Sequence, residues 1–287
     1  METSPLDSAL GVQVTGLDFD RLREPQTAEK LAALLARHQV VLLRDQELTA
    51  EDFVRFCRAF GDLELLPEPE KRHPEFPEIF QLTNVKPDGS LTVPDEPQAV
   101  FLRGTARWHT DSSFRAIPCL ATALYARQVT PVGGETEFAN MVTAYESLGD
   151  DERAALAELE AVHSYAFSRA NNPGRVEPMS EEERRQVPDV CHPVVRCHAD
   201  GRRSIYLGGH VSHLAGQDVE ASRARVRALE DRLTAVGNVY RHSWRKGDLL
   251  IWDNRSTLHR LIPYEIGRYP RSLWRCTVSG REPVVGP

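Results

Sequence analysis

His109 and Asp111 are separated by one residue, His259 follows far downstream, and Arg271 comes twelve residues after it. If these groups act together, the middle of the chain must fold against its C-terminal part. Two imidazoles and one carboxylate are the ligand set of a non-haem Fe(II) site. They take one triangular face of an octahedron and leave three positions open, as an oxygenase needs for a bidentate co-substrate and O2. An arginine near such a site is a permanent cation that can clamp a dicarboxylate bidentately. In an extended segment residues i and i+2 point to the same side, so His109 and Asp111 can face one ion while Thr110 turns away. Each part also has a plainer reading. His-x-Asp occurs in solvated loops, and a lone histidine such as His259 is more often a satisfied core or surface residue. The order of the groups and the accompanying arginine favour the metal reading.

The bulk numbers fit an ordinary soluble globular chain. Of 287 residues, 41% are hydrophobic and 27% charged, enough apolar mass for a sizeable core. Net charge is −7 and no Lys/Arg cluster stands out, which argues against nucleic acid or an anionic membrane as partner. The first ten residues carry Glu2 and Asp7 and no apolar run, and no stretch approaches the roughly 18 apolar residues of a membrane span. The five cysteines are odd in number, scattered and without a C-x-x-C pair, which suits packing thiols in a reducing cytoplasm.

Residues 27–38 read as a helix with Leu31, Leu34 and Leu35 on one face, and 40–43 as a buried strand. Thr49 to Asp52 resembles a capping box opening a second helix through Phe53, Phe56, Cys57 and Phe60. From 63 to 107 prolines punctuate the chain and only 79–82 looks like a strand. Such an irregular stretch inside one domain reads as a lid or active-site loop, at about 65–107. Further strands are expected at 11–16, 119–129, 161–168, 192–197, 203–208, 239–244, 249–252 and 272–278. Helices are expected near 141–160 and along Val219, Val226, Leu229 and Leu233. Many short strands with helices early and as insertions predict a single α+β domain built round a β-sandwich.

Three more positions carry chemistry. Thr136, after Gly133-Gly134-Glu135, is either a plain strand-start threonine or a hydroxyl beside Arg271. Arg275 lies four residues from Arg271, on the same face of a strand. The two can bind two anions, co-substrate and substrate, or be a solvated surface pair. His210 and His213 lack a cysteine or carboxylate at zinc-site spacing. His210 is a candidate lining residue of a substrate pocket.

These motifs resemble the taurine dioxygenase / phenoxyacetate-herbicide dioxygenase (TauD/TfdA) family over nearly the whole chain. The sharpest matches are WHTDSSF at 108–114, PVGGETEF at 131–138, GDLLIWDNRSTLH at 247–259 and RSLWR at 271–275. AYESL at 144–148 and HSYAFSR at 163–169 look closer to the herbicide-dioxygenase branch. The resemblance implies a double-stranded β-helix (jelly-roll) core with flanking helices. It implies Fe(II), 2-oxoglutarate as co-substrate, and O2. It assigns His109, Asp111 and His259 to iron, Thr136 and Arg271 to the distal carboxylate of 2-oxoglutarate, Arg275 to the substrate's anionic group, and places Trp252 near the site. The chain departs from the taurine branch at Leu66, where that branch has a histidine, and at Thr105, near the place of an asparagine. A small carboxylate with an apolar body, packed against Leu65 and Leu66, is the expected partner rather than taurine; a homo-oligomer, dimer or tetramer, is compatible with this reading. The implied reaction is hydroxylation of an unactivated C–H bond with release of succinate and CO2. A biosynthetic oxygenase doing desaturation or isonitrile-type chemistry on an N-substituted amino acid shares every motif. A non-catalytic jelly-roll binding protein is the alternative of a different class.

Overall fold

The computed structural model describes residues 1–6, 10–66, 68–172, 178–235 and 237–287. Its main sheet has seven strands in the spatial order Glu2–Pro5, Val12–Thr15, Val40–Leu43, Leu249–Asp253, Ala121–Gln128, Ser272–Val278 and Phe80–Thr83. Neighbours are antiparallel except Val12–Thr15 with Val40–Leu43. A three-stranded antiparallel sheet, Val239–His242, Thr136–Asn140 and Thr257–Leu261, faces it. The result is the expected α+β arrangement with a jelly-roll core.

Side-chain alternation explains the layering. Val41, Leu43, Leu249, Ile251, Ala123, Tyr125, Trp274 and Cys276 point to one face of the main sheet and pack with Leu31, Leu35, Phe53 and Phe56 of the helices Pro25–His38 and Ala50–Arg58. Their neighbours Val40, Leu42, Leu250, Trp252, Leu124 and Leu273 point to the other face and meet Phe138, Tyr240 and Trp244 of the small-sheet side. A strand buried on both faces reads as a continuous apolar run, which is why 40–43 and 249–252 were legible. Behind the small sheet, Ala139 and Leu258 pack on a third cluster with Ile205, Val211 and Val226.

Local signals fix the helix ends. Thr49 and Asp52 form the anticipated capping box of Ala50–Arg58. Pro25 opens the first helix and Gln39, at φ +65°, closes it. No helix among the described residues is long and apolar enough to cross a membrane. Cys57, Cys119 and Cys276 are buried packing thiols, whereas Cys191 is exposed.

Several elements differ from the sequence reading. The strand expected over 161–168 ends at His163, because the Ser164 hydroxyl accepts from Phe167 N and caps a helix, Tyr165–Ala170. The strand expected over 192–197 is two, Val190–Pro193 and Val195–Cys197, and that at 203–208 shortens to Arg203–Ile205. The irregular stretch contains a helix, Pro97–Gly104, with Ala99 and Leu102 buried. Pro97 is its first residue, where the missing N–H costs nothing. Thr257–Leu261 is a strand that the sequence reading did not include.

Phe138 is fully buried between the sheets, with ring centroids 5.3 Å from Trp252 and 6.2 Å from His259. Phe138→Ala is expected to cost about 3–5 kcal/mol in urea unfolding, as for a large aromatic removed from a packed core. A loss below about 1 kcal/mol would show that the sheets are not held together here.

Candidate metal centre and substrate cavity

The backbones of His109 and His259 pair directly. His109 N donates to His259 O at 3.0 Å, and His259 N donates to His109 O at 2.8 Å. This bridge extends the small sheet by one rung and brings the two imidazoles to 4.1 Å between centroids. Asp111 closes the triangle: Oδ1 lies 3.9 Å from His109 Nε2 and Oδ2 3.7 Å from His259 Nε2. One ligand atom from each residue lies within 4.8 Å of the others, and among the described residues no other such group of His, Cys, Asp or Glu occurs. Thr110 does turn away, donating its hydroxyl to Asn254 O at 2.6 Å.

Protonation suits a cation. Burial, chiefly, pushes His109 and His259 below the usual imidazole range, so both rings are neutral. Burial alone would raise Asp111, but Arg275, the two histidines and the Thr122 hydroxyl outweigh it and hold the carboxyl well below its ordinary range. Neutral imidazoles and an ionised carboxylate are the forms that ligate a metal. His109 Nδ1 donates to Arg107 O at 2.8 Å, which leaves Nε2 as the free lone pair. The Nδ1 of His259 is buried without a partner among the described residues, so none of them fixes its tautomer by a hydrogen bond.

A polar layer holds the carboxylate. Thr122 Oγ1 donates to Asp111 Oδ2 at 2.7 Å, and Arg275 Nη2 lies 3.0 Å from Oδ1. The Asn254 amide donates to Thr122 Oγ1 at 2.9 Å and accepts from Trp252 Nε1 at 2.9 Å and Asp111 N at 3.3 Å. Ser112, next to Asp111, has φ +56°, a strained value for a residue with a side chain. Gly208 lets another segment approach: a Cβ there would sit 3.1 Å from the Cα of His109. Asn254, Thr122 and Gly208 were not sequence candidates. The WDNR run at 252–255 gave Asn254 away only as part of a motif, and Thr122 gave no signal.

His109 and Asp111 open into a cavity of about 230 Å³. Arg275, Leu66, Thr105 and His210 all line it. His210 is hydrogen-bonded to the Ser113 hydroxyl at 3.1 Å, and burial pushes its imidazole down to about 3, so it is a neutral wall. Leu65 is not part of the wall; it is 53% exposed. The apolar walls are aromatic pairs that the sequence did not single out, Phe80 with Phe101 at 6.0 Å and Phe114 with Tyr165 at 4.8 Å. Trp252 lies 4.6 Å from the His259 ring, near the site as anticipated.

Arg271 and Arg275 do not share that cavity. A bulge at Ser272/Leu273 lies between them. Arg271 lines a smaller space of about 180 Å³ with Gly134, Glu135 and Trp244. Trp244 Nε1 donates to the Thr136 hydroxyl at 3.0 Å, which links Thr136 to this space. Arg271 is 95% buried and forms no ion pair among the described residues; its Nε donates to Gly134 O at 3.3 Å. Burial brings its guanidinium down to about 10, still fully charged at neutral pH. Glu135 lines the same space without pairing to it, so the guanidinium keeps donors free for an anion. Gly134, at φ +76°, is required here, since a Cβ would come within 3.2 Å of Arg271 Nε. A larger open cleft of about 1120 Å³ around Trp274 lies on the helix-packed face of the main sheet and holds no metal-ligating cluster.

Known proteins bear on this arrangement. The family described as "Taurine catabolism dioxygenase TauD, TfdA family" matches residues 2–277. The chain is 33% identical over 279 residues to the alpha-ketoglutarate-dependent 2,4-dichlorophenoxyacetate dioxygenase of Burkholderia sp. (strain RASC), covering 96% of this chain and 93% of that protein. It is 30% identical over 286 residues to the (S)-phenoxypropionate/alpha-ketoglutarate-dioxygenase of Sphingobium herbicidovorans, covering 97% and 95%. Among solved structures it is similar to AAD-2 in complex with Mn(II) and N-oxalylglycine, with a TM-score of 0.89 and 33% identity over 99% of this chain and 100% of that one. With its His-Asp-His triad in place, the chain belongs to the TauD/TfdA family and is an Fe(II)- and 2-oxoglutarate-dependent dioxygenase that consumes O2.

Proposed function

We propose that this dioxygenase hydroxylates an unactivated C–H bond of a small carboxylate with an aryl or similarly flat apolar body, releasing succinate and CO2. The observation that carries this reading is the cavity itself: one arginine, Arg275, at the metal ligands and two aromatic pairs as walls. The similarity to dioxygenases named for phenoxy acids points the same way.

In this reading His109, Asp111 and His259 hold Fe(II), and Arg271 with Thr136 holds the distal carboxylate of 2-oxoglutarate. Fe(II) and 2-oxoglutarate, when bound, supply the oxidising power for C–H hydroxylation. Arg275 receives the substrate's carboxylate. Its guanidinium has five N–H donors, of which contacts to Asp111 and Thr277 use two, so donors remain for an anion. Leu66, Thr105 and His210 shape the pocket beside it. The stretch 65–107 acts as the lid of a single catalytic domain, contributing Leu66, Phe80, Phe101 and Thr105 and excluding water from the reaction. Leu66 offers no hydrogen bond to a sulfonate, so taurine is a poor substrate.

Two measurements test these assignments. Arg271→Ala should weaken 2-oxoglutarate binding by about thirtyfold or more while iron is retained, as when one partner of a buried charged pair is removed. Unchanged 2-oxoglutarate affinity would place the clamp elsewhere. Phenoxyacetate should drive 2-oxoglutarate-dependent O2 uptake, whereas its methyl ester should be slower by at least about tenfold, because the Arg275 donors reserved for the substrate are left unpaired, and taurine should be slower too, because it has no apolar body to fill the aromatic walls. Arg275→Ala should erase the preference for acid over ester. Equal turnover of acid and ester by the parent protein would sink the carboxylate reading.

A further inference from the structure

Four arginines line the cavity that holds His109 and Asp111, namely Arg107, Arg115, Arg169 and Arg275. Three have acid partners. Arg275 Nη2 is 3.0 Å from Asp111, Arg115 Nη1 3.0 Å from Glu64, and Arg169 Nη1 2.8 Å from Glu183. Arg107 differs. It is partly buried, yet its guanidinium makes no ion pair and no hydrogen bond with any described residue. The acid that senses Arg107 most clearly is Glu230, on the helix Val219–Leu233, without pairing to it. Burial pushes that carboxyl up to about 7, so at neutral pH it offsets Arg107 only in part.

A half-buried cation without a counter-charge is unfavourable unless something supplies one. The other anion sites of the enzyme have their own arginines. Arg271 lies in the separate small space near Thr136, and Arg275 is held at Asp111 by its contacts to Asp111 and Thr277. Ser168, also in the cavity wall, has a hydroxyl with no described partner and adds a donor.

We propose that Arg107 is a second anion-recognition group of the substrate cavity, so that the preferred substrate carries an acidic group at each end of its apolar body, one held by Arg275 and the other by Arg107. This deepens the carboxylate reading above and rests on it. The aromatic pairs then grip the middle of a dianion rather than the tail of a simple aryl acid. Arg107 becomes the residue that separates diacids from monoacids, which Arg275 alone does not do.

The test compares phenoxyacetate with its 3-carboxy and 4-carboxy analogues. Each is titrated calorimetrically, without O2, into the Mn(II)- and 2-oxoglutarate-loaded protein. The parent should bind one of the diacids at least about tenfold more tightly than the monoacid, as for a charge-assisted contact. Arg107→Met should reduce that advantage to within about threefold, with a circular dichroism spectrum and thermal melt like the parent's showing that the variant is folded. Arg107→Glu should make the monoacid the better ligand. Equal binding of monoacid and diacids by the parent overturns the role of Arg107 and leaves the carboxylate reading standing, as does a diacid advantage that survives Arg107→Met. Failure of every acid to bind removes both.

Discussion

The two hydrogen bonds that join the backbones of His109 and His259 are the contact on which the rest of the site depends. They fasten the end of a long irregular stretch to a strand of the small sheet. Once that rung is set, extended geometry puts Asp111 on the same side as His109. The facing sheet then supplies what the carboxylate needs. Thr122 and Arg275 lie on neighbouring strands of the main sheet, and each contacts a different oxygen of Asp111. The metal ligands therefore sit at the seam between the two sheets rather than on a free loop. Rigid elements hold such a constellation more closely than loops do.

Electrostatics divides the interior into separate tasks. Asp111 is kept ionised chiefly by Arg275 and the Thr122 hydroxyl, and the imidazoles are kept neutral by burial. Arg271 is buried with Glu135 nearby but in no ion pair among the described residues, and Arg275 shares Asp111. A cation that is buried and unpaired costs stability in the empty protein and is relieved when an anion arrives. The expensive groups of this fold are thus the ones to which the proposed function assigns ligands, which is the usual place for a sequence to break the rules of a good core.

The sequence made the chemistry more legible than the walls around it. His109, Asp111 and His259 could be found because their residue types are rare in that combination and metal chemistry demands them. Strands 40–43 and 249–252 could be found because both faces are buried and the runs are apolar. Thr257–Leu261 was hidden because its inward residues serve the metal side and its outward Arg260 pairs with Glu137, so no apolar alternation survives. The bulge at Ser272/Leu273 was equally invisible, and with it the separation of Arg271 from Arg275 into two cavities. Phe80, Phe101, Phe114 and Tyr165 come from four distant segments, so their meeting is a tertiary fact that no local pattern encodes. Leu65 was misplaced for the same reason: its neighbour Leu66 lines the cavity while it faces solvent.

The central claim is that one carboxylate and two imidazoles at this seam hold iron together with 2-oxoglutarate. The most direct measurement is the visible charge-transfer absorption that appears when 2-oxoglutarate is added anaerobically to the Fe(II) protein. The parent should develop a weak band that saturates with one 2-oxoglutarate per chain, and Asp111→Ala, compared at equal folded concentration, should lose it. An Asp111→Ala protein that shows the same band and hydroxylates with full coupling to succinate would contradict the account.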